Sequence, residues 1–189
     1  MRKYDAVFFD LDGTLSESGE GILWCVRRTI EDLKIVVPEN FRLESFIGPP
    51  LADSFYRLGL DDEKVKFGVK TYKSYYDTKG KYMNKAYDGI KELLERLREK
   101  GYKLGVATSK YELFARQIID NIGLLQYFDF VSGATANAER QKKIDVLNYG
   151  IKNLGATPEN SALIGDTKFD AEGARLCGCG FVGVLYGYG

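Results

Sequence analysis

The sequence predicts an α/β protein: a doubly wound parallel sheet with a small, largely helical domain inserted near its start. Three observations carry this. Five apolar runs with strand-like composition recur along the chain. Amphipathic helical patterns separate the later runs, and strand alternating with helix implies right-handed crossovers between parallel strands. The stretch 17–87 lacks such runs and reads as helical or irregular.

The first run is YDAVFFD, Tyr4 to Asp10. Its unbroken apolar centre suits a strand covered on both faces. The insertion follows. GEGILWCVRRTIEDL reads as its first helix, with IGPPLADSFYRLG and DDEKVKFGVKTYKSYYDTKG supplying the others and Pro49 and Pro50 fixing a bend. Glu17 and Gly19 to Gly21 are expected as hinge material at the first crossing, and Asn84 to Tyr87 at the second.

The α/β pattern resumes at Asp88, read as the N-cap of a helix whose apolar face is Ile90, Leu93, Leu94 and Leu97 and which Gly101 ends. Strands are expected at Tyr102 to Thr108, Phe128 to Gly133, Ser161 to Asp166 and Gly180 to Tyr186, and helices at Glu112 to Ile122, Lys143 to Leu154 and Asp170 to Cys177. The expected domains are therefore 1–16 with 88–189, and 17–87. Sheets of this kind usually finish with a helix covering the last strand, so a shortened chain or a further tail is expected beyond LYGYG.

Composition removes several functions. Lysine plus arginine and aspartate plus glutamate number 27 each, so no net field favours nucleic acid or a membrane surface. The chain has no histidine, which excludes serine–histidine hydrolysis, phosphohistidine chemistry and most zinc catalysis. Carboxylates and lysines must then do any acid–base work. Cys25, Cys177 and Cys179 are odd in number and lack paired metal spacing, and no run is long enough to span a bilayer. A reduced, cytoplasmic protein is expected, monomeric or homodimeric.

Chemistry concentrates where strands end. In FFDLDGTLSES, Asp10 and Asp12 lie one residue apart at the end of the first run. Residues i and i+2 of an extended segment point the same way, so both carboxylates can face one pocket. Two such anions repel unless a cation or a proton intervenes. Mg²⁺, with near-octahedral oxygen coordination at about 2.0–2.1 Å, would reconcile them and attract phosphate. Gly13 permits a tight turn and Thr14 can hold it. Taken singly, an Asp-x-Asp is as readily a capped turn.

Three further strand ends agree with it. GVATSK places Thr108, Ser109 and Lys110 just past a strand, where hydroxyls and amides opening a helix suit an anion. IGDTKFD brings Asp166 and Asp170 to another strand end, four residues apart. ERQKKIDVL offers Lys142 and Lys143 before a helix. Each alone passes for capping or surface charge; together they point to one site.

This set of motifs resembles the haloacid dehalogenase superfamily of phosphohydrolases over nearly the whole chain, with Asp-x-Asp-Gly-Thr-Leu as its most specific element. The resemblance implies a Rossmann-like core with a small α-helical cap and a Mg²⁺ cofactor. It implies that Asp10 is the nucleophile forming an aspartyl-phosphate and that Asp12 is the general acid and then base. Thr108, Ser109 and Lys143 would bind the phosphoryl group. Asp10, the carbonyl of Asp12 and Asp166 would hold the metal, with Asp170, Gly13 and Thr14 in support. The family often has Lys-Pro at the lysine motif and this chain does not, so Lys142 rivals Lys143. The helix-opening position favours Lys143.

Asp12 speaks against carbon–halogen cleavage, and SESGEGI with FIGPPLADSF resembles the phosphoglycolate phosphatase branch, so a small phosphorylated metabolite is the expected partner. A sugar-phosphate mutase and a 5′-nucleotidase are the enzymatic alternatives. A phosphoaccepting receiver domain is the alternative of another class. Ser18, Gly48, Pro49 and Arg57 are candidate substrate contacts of the insertion; Tyr72, Tyr75, Tyr76, Tyr82 and Tyr87 are expected to pack it more than to line a pocket.

Overall fold

The computed structural model describes residues 3–137 and 139–189. Its main sheet contains β1 (Ala6–Phe9), β4 (Lys103–Tyr111), β5 (Phe130–Ala134), β6 (Ser161–Gly165) and β7 (Gly180–Gly183), in the spatial order β5-β4-β1-β6-β7 with every pairing parallel. The chain starts at the centre, winds outward through β4 and β5, then crosses β1 to β6 and β7. That reversal is a topological switch point, and ligands of open α/β sheets bind beside it at the carboxyl ends of the strands. Phe9, the last residue of β1, pairs with Val106 of β4 and Ile164 of β6, so the three following segments emerge side by side.

The apolar runs become buried strands as their composition predicts. All four residues of β1 are buried. Phe8 lies in a slot that only glycines leave open, because a Cβ on Gly105 would stand 2.5 Å from its ring and one on Gly150 2.8 Å. Around it pack Val146, Leu147 and Ile151 of α6 (Lys143–Asn153). Burying a side chain of this size contributes about 1.5–3 kcal/mol.

The other core helices are α4 (Ile90–Glu99), α5 (Glu112–Asn121) and α7 (Lys168–Cys177). Several boundaries differ from expectation, among them the strand expected from Gly180 to Tyr186, which ends at Gly183. The N-cap of α4 is Gly89 in the left-handed region, φ 79°, not Asp88; the tight entry needs the positive φ that glycine adopts freely. The strand expected to end at Thr108 continues to Tyr111 with a register shift between Ala107 and Tyr111, so Thr108, Ser109 and Lys110 lie on strand rather than in a helix opening. The helix expected from Asp170 begins at Lys168, because Thr167 caps it and Asp170 completes a reciprocal capping box.

The residues group into two compact units, one being the chain up to Glu17 with Lys85–Gly189, the other Ser18–Asn84. The α/β unit extends past the expected limits of 16 and 88 because β2 (Ser16–Glu17) pairs antiparallel with β3 (Lys85–Ala86), and Tyr87 N–H donates to the Leu15 carbonyl at 3.2 Å. The crossings are thereby zipped as a ribbon. Gly19 and Gly21, expected as hinge residues, are buried in the first turn of α1 (Gly19–Asp32), and a Cβ on Gly21 would stand 2.3 Å from the Gly80 carbonyl oxygen. They serve close packing.

The second unit is helical: α1, α2 (Leu51–Arg57) and α3 (Asp62–Thr78). Pro50, with φ −53° and ψ 135°, is the N-cap of α2. Aromatic pairs hold the unit: Trp24 and Tyr75 edge-to-face at 5.6 Å, Phe46 and Phe55 at 5.1 Å, and Tyr72 stacked on Tyr76 at 5.6 Å. Tyr72 and Tyr76 are buried, Tyr75 donates to Asp32, and Tyr82 is exposed.

Candidate active site

Asp10 follows β1 directly, and its own N–H completes the ladder by donating to Ile164 O at 2.9 Å. The carboxylate is buried, and Lys143 Nζ stands 2.6 Å from its Oδ1. The same ammonium reaches Asp170 Oδ1 at 2.7 Å and the Ala107 carbonyl at 3.0 Å. An ammonium has three protons, and here each has an acceptor. Lys143 heads α6, while its neighbour Lys142 is the exposed N-cap. The lysine stem passes over Gly173 of α7, where a Cβ would stand 2.5 Å from Lys143 Cγ.

Asp170 is wholly buried at the third position of α7. Its Oδ2 accepts the Thr167 N–H at 2.9 Å and the Thr167 hydroxyl at 2.6 Å, leaving Oδ1 for Lys143. Close approach to β6 requires Gly165, whose Cβ would stand 2.5 Å from Asp170 Cβ.

Asp12 behaves differently from the sequence expectation. Its Oδ2 pairs with Lys110 Nζ at 2.9 Å, and its Oδ1 is buried with no hydrogen-bond partner among the described residues. The group of acids able to share an ion is instead Asp10, Asp166 and Asp170, with one oxygen from each within 4.8 Å of the others. The Asp12 carboxylate needs no metal to balance it because the extended end of β4 supplies a lysine. Thr108 is buried, and its hydroxyl accepts the Lys110 N–H at 3.2 Å. Ser109 is exposed on the same strand end.

Asp166, after β6, is half-buried. Thr14 donates to its Oδ1 at 3.2 Å and the Tyr188 N–H to its Oδ2 at 2.8 Å. Gly13 has φ 87°, and a Cβ there would stand 2.2 Å from Asp166 Oδ2. Glycine is required both for the turn and for the approach of the acid.

Electrostatics set these acids apart from surface carboxylates. Burial pushes Asp10 up to about 7, opposed by the Lys143 charge and reinforced by Asp170. Burial alone would lower the Lys143 ammonium, but attraction to Asp10 and Asp170 outweighs it and the net movement is upward. Asp166 is also raised, chiefly by burial. Three clustered carboxylates face one ammonium, so negative charge is in excess. An all-oxygen donor set of that charge fits a hard divalent cation such as Mg²⁺.

Sequence reasoning did not find the Lys110 partnership with Asp12, since a lysine three residues past a strand centre carries no pattern of its own. It also read residues 184–186 as the end of the last strand, whereas β7 stops at Gly183. In the helical unit Arg57 donates to Ser45 O at 2.7 Å and Ser54 Oγ at 2.9 Å, and Gly48 adopts φ 101°. These contacts organise the unit itself. Cys25 is buried, and the Cys177 thiol donates to Asn148 Oδ1 at 3.1 Å. Among the described residues no helix is long and apolar enough to cross a membrane.

Residues 7–184 match the family model described as haloacid dehalogenase-like hydrolase. The tyrosine-protein kinase PtkA of Mycobacterium tuberculosis is 37% identical over 183 residues, covering 97% of this chain and 62% of that protein. The chain therefore spans less than two thirds of that relative. A 5′-nucleotidase of Pseudomonas aeruginosa is 37% identical over 188 residues, covering 99% of this chain and 85% of the relative. A solved structure described as a predicted phosphatase from Clostridium acetobutylicum superposes with a TM-score of 0.90 at 37% identity, covering 100% of this chain and 88% of that one.

Proposed function

The chain belongs to the haloacid dehalogenase-like hydrolases, and from that membership we propose that it is a Mg²⁺-dependent phosphatase acting on a small organophosphate monoester, phosphoglycolate-like, through an aspartyl-phosphate. The observation that carries the proposal is the buried Asp10 carboxylate paired with Lys143 at 2.6 Å, in a cluster with Asp166 and Asp170.

Asp10 attacks phosphorus through one carboxylate oxygen as the ester oxygen departs. Asp12 protonates the departing alkoxide, then takes a proton from the water that hydrolyses the acyl-phosphate, which returns Asp10 as a carboxylate and frees phosphate. Lys143 balances charge on Asp10 and on the phosphoryl oxygens. Thr108 and Ser109 donate to those oxygens. Phosphoryl transfer needs mainly in-line positioning and cationic clamps, which this residue set provides. Mg²⁺, when bound by Asp10, Asp166, Asp170 and the Asp12 carbonyl, would add positive charge against the transferring group.

Relatives bear names as different as tyrosine-protein kinase and 5′-nucleotidase, so family membership does not fix the substrate. A panel of phosphoglycolate, nucleoside 5′-monophosphates and hexose 1-phosphates, assayed for phosphate release with Mg²⁺ and with EDTA, tests the proposal. Steady Mg²⁺-dependent release, fastest on phosphoglycolate, is expected. Faster turnover of nucleotides would correct the substrate. Isomerisation without release, or one slowly decaying phosphate per chain, would overturn the hydrolase reading.

A further inference from the structure

The segment after β7, Val184 to Gly189, takes no part in the chemistry above, yet it closes on the metal-binding acids from a second side. Val184 N–H donates to Gly165 O at 2.9 Å, which completes the β6–β7 ladder and places the following residues at the end of β6. Tyr186 Oη then donates to the Thr14 carbonyl at 3.0 Å, and the Thr14 hydroxyl donates to Asp166 Oδ1 at 3.2 Å. Two residues further, the Tyr188 N–H donates to Asp166 Oδ2 at 2.8 Å. Gly187 sits between them, where a Cβ would stand 2.4 Å from Asp166 Oδ2 and from the Gly13 carbonyl oxygen. The Tyr186 ring rests on Tyr87, centroids 4.7 Å apart.

Asp166 is thus clasped between residues 13–14 and 186–188, with one donor on each carboxylate oxygen. Two donors on separate oxygens fix the carboxylate plane while each oxygen keeps a lone pair for an ion. Thr14 can hold Asp166 only if its own turn is held, and the Tyr186 hydroxyl bonds the carbonyl of that turn. We infer that Tyr186 is a positioning residue for the cation site: its hydroxyl fixes Thr14, and Thr14 fixes Asp166 for coordination. This rests on the metal reading given above.

Groups that orient metal-ligating carboxylates typically account for 10–100-fold in metal affinity. Tyr186→Phe keeps the ring on Tyr87 and removes only the hydroxyl. Calorimetric titration of the full chain with MgCl₂ alone, without substrate, is expected to show binding weakened about 10-fold. The Mg²⁺ concentration for half-maximal phosphate release should rise by the same factor, while saturating Mg²⁺ restores kcat and thermal unfolding in EDTA is unchanged. Asp166→Asn is the control and should lose Mg²⁺ binding. If Asp166→Asn binds like the wild type, the metal reading itself fails. If Asp166→Asn loses binding but Tyr186→Phe keeps wild-type affinity, the inference about Tyr186 fails alone. A Tyr186→Phe protein destabilised as much in EDTA as in Mg²⁺ would make the residue merely structural and overturn the inference too. Should that variant not fold, Gly187→Ala places a methyl against Asp166 from the same segment, and wild-type affinity in it is equally contrary.

Discussion

Lys143 Nζ lies 2.6 Å from Asp10 Oδ1, although 133 residues separate the two in the chain and both side chains are almost withdrawn from solvent. The sheet order makes the contact: Asp10 directly follows the central strand and Lys143 opens the helix after β5. Because the ammonium also holds Asp170 at 2.7 Å, removing it strands two buried carboxylates. Lys143→Met is expected to destabilise the EDTA-treated protein by about 3–5 kcal/mol, the usual cost of breaking a buried pair. Adding Asp10→Asn should recover part of that loss. Urea unfolding of the single and double variants checks it, and additive losses would contradict the coupling.

The two acids of the first motif should separate by behaviour. Asp10→Asn removes the attacking oxygen and is expected to abolish both turnover and covalent phosphorylation. Asp12→Asn keeps the attacking oxygen and loses proton transfer, so phosphate should remain trapped on Asp10 while release falls about 10²–10⁴-fold. Intact-protein mass spectrometry after a brief exposure to substrate distinguishes them. Robust hydrolysis by Asp10→Asn would remove the nucleophile assignment.

Gly173 is a sharper probe of geometry than any charge change. It is helical and tolerates alanine by conformation, but a Cβ there would stand 2.5 Å from Lys143 Cγ and 2.8 Å from Lys143 Cβ. Gly173→Ala must therefore displace the lysine stem. A displacement of about 1 Å in a group that positions charge can cost about 10²-fold in rate. We expect kcat to fall by that order with Asp10 chemically intact, and activity equal to wild type would show that Lys143 is not held to this position.

Much of this was legible in the sequence for a definable reason. Strands buried on both faces write themselves as apolar runs, so β1 and β6 stood out, and Asp10 and Asp166 stood out as acids at their ends. Helix propensity and spacing likewise placed α1, α3, α5 and α6 within a residue or two. What failed depended on contacts between distant segments. The prolonged end of β4, and with it the Lys110–Asp12 pair, follows from sheet register beside β5, which no local pattern encodes. The ribbon of β2 with β3 has two residues per strand, too few for periodicity to speak. The clasp of Tyr186 and Gly187 on Asp166 reads locally as a loose Tyr-Gly tail, since its meaning lies 20 residues upstream and again at Thr14.

A proton and a cation compete for the Asp10 carboxylate. Its carboxyl titrates near 3.8 when unfolded and is raised to about 7 by burial in the folded chain, against the opposing pull of Lys143. Between those values the native state holds more protons than the unfolded state, so stability contributed by the protonated form is lost as pH rises through the window. In EDTA the unfolding midpoint should therefore fall from about pH 4 to about pH 7, with Asp166, raised in the same direction by burial, adding to the trend. Lys143 does not oppose it in this range, because a raised ammonium loses its contribution only at high pH. A cation needs the same oxygens unprotonated, so Mg²⁺ binding near pH 6 should release up to about one proton and tighten as pH rises. Calorimetry in two buffers of different ionisation enthalpy counts that proton. Affinity independent of pH across the window, with no proton released, would mean that Asp10 is not a ligand.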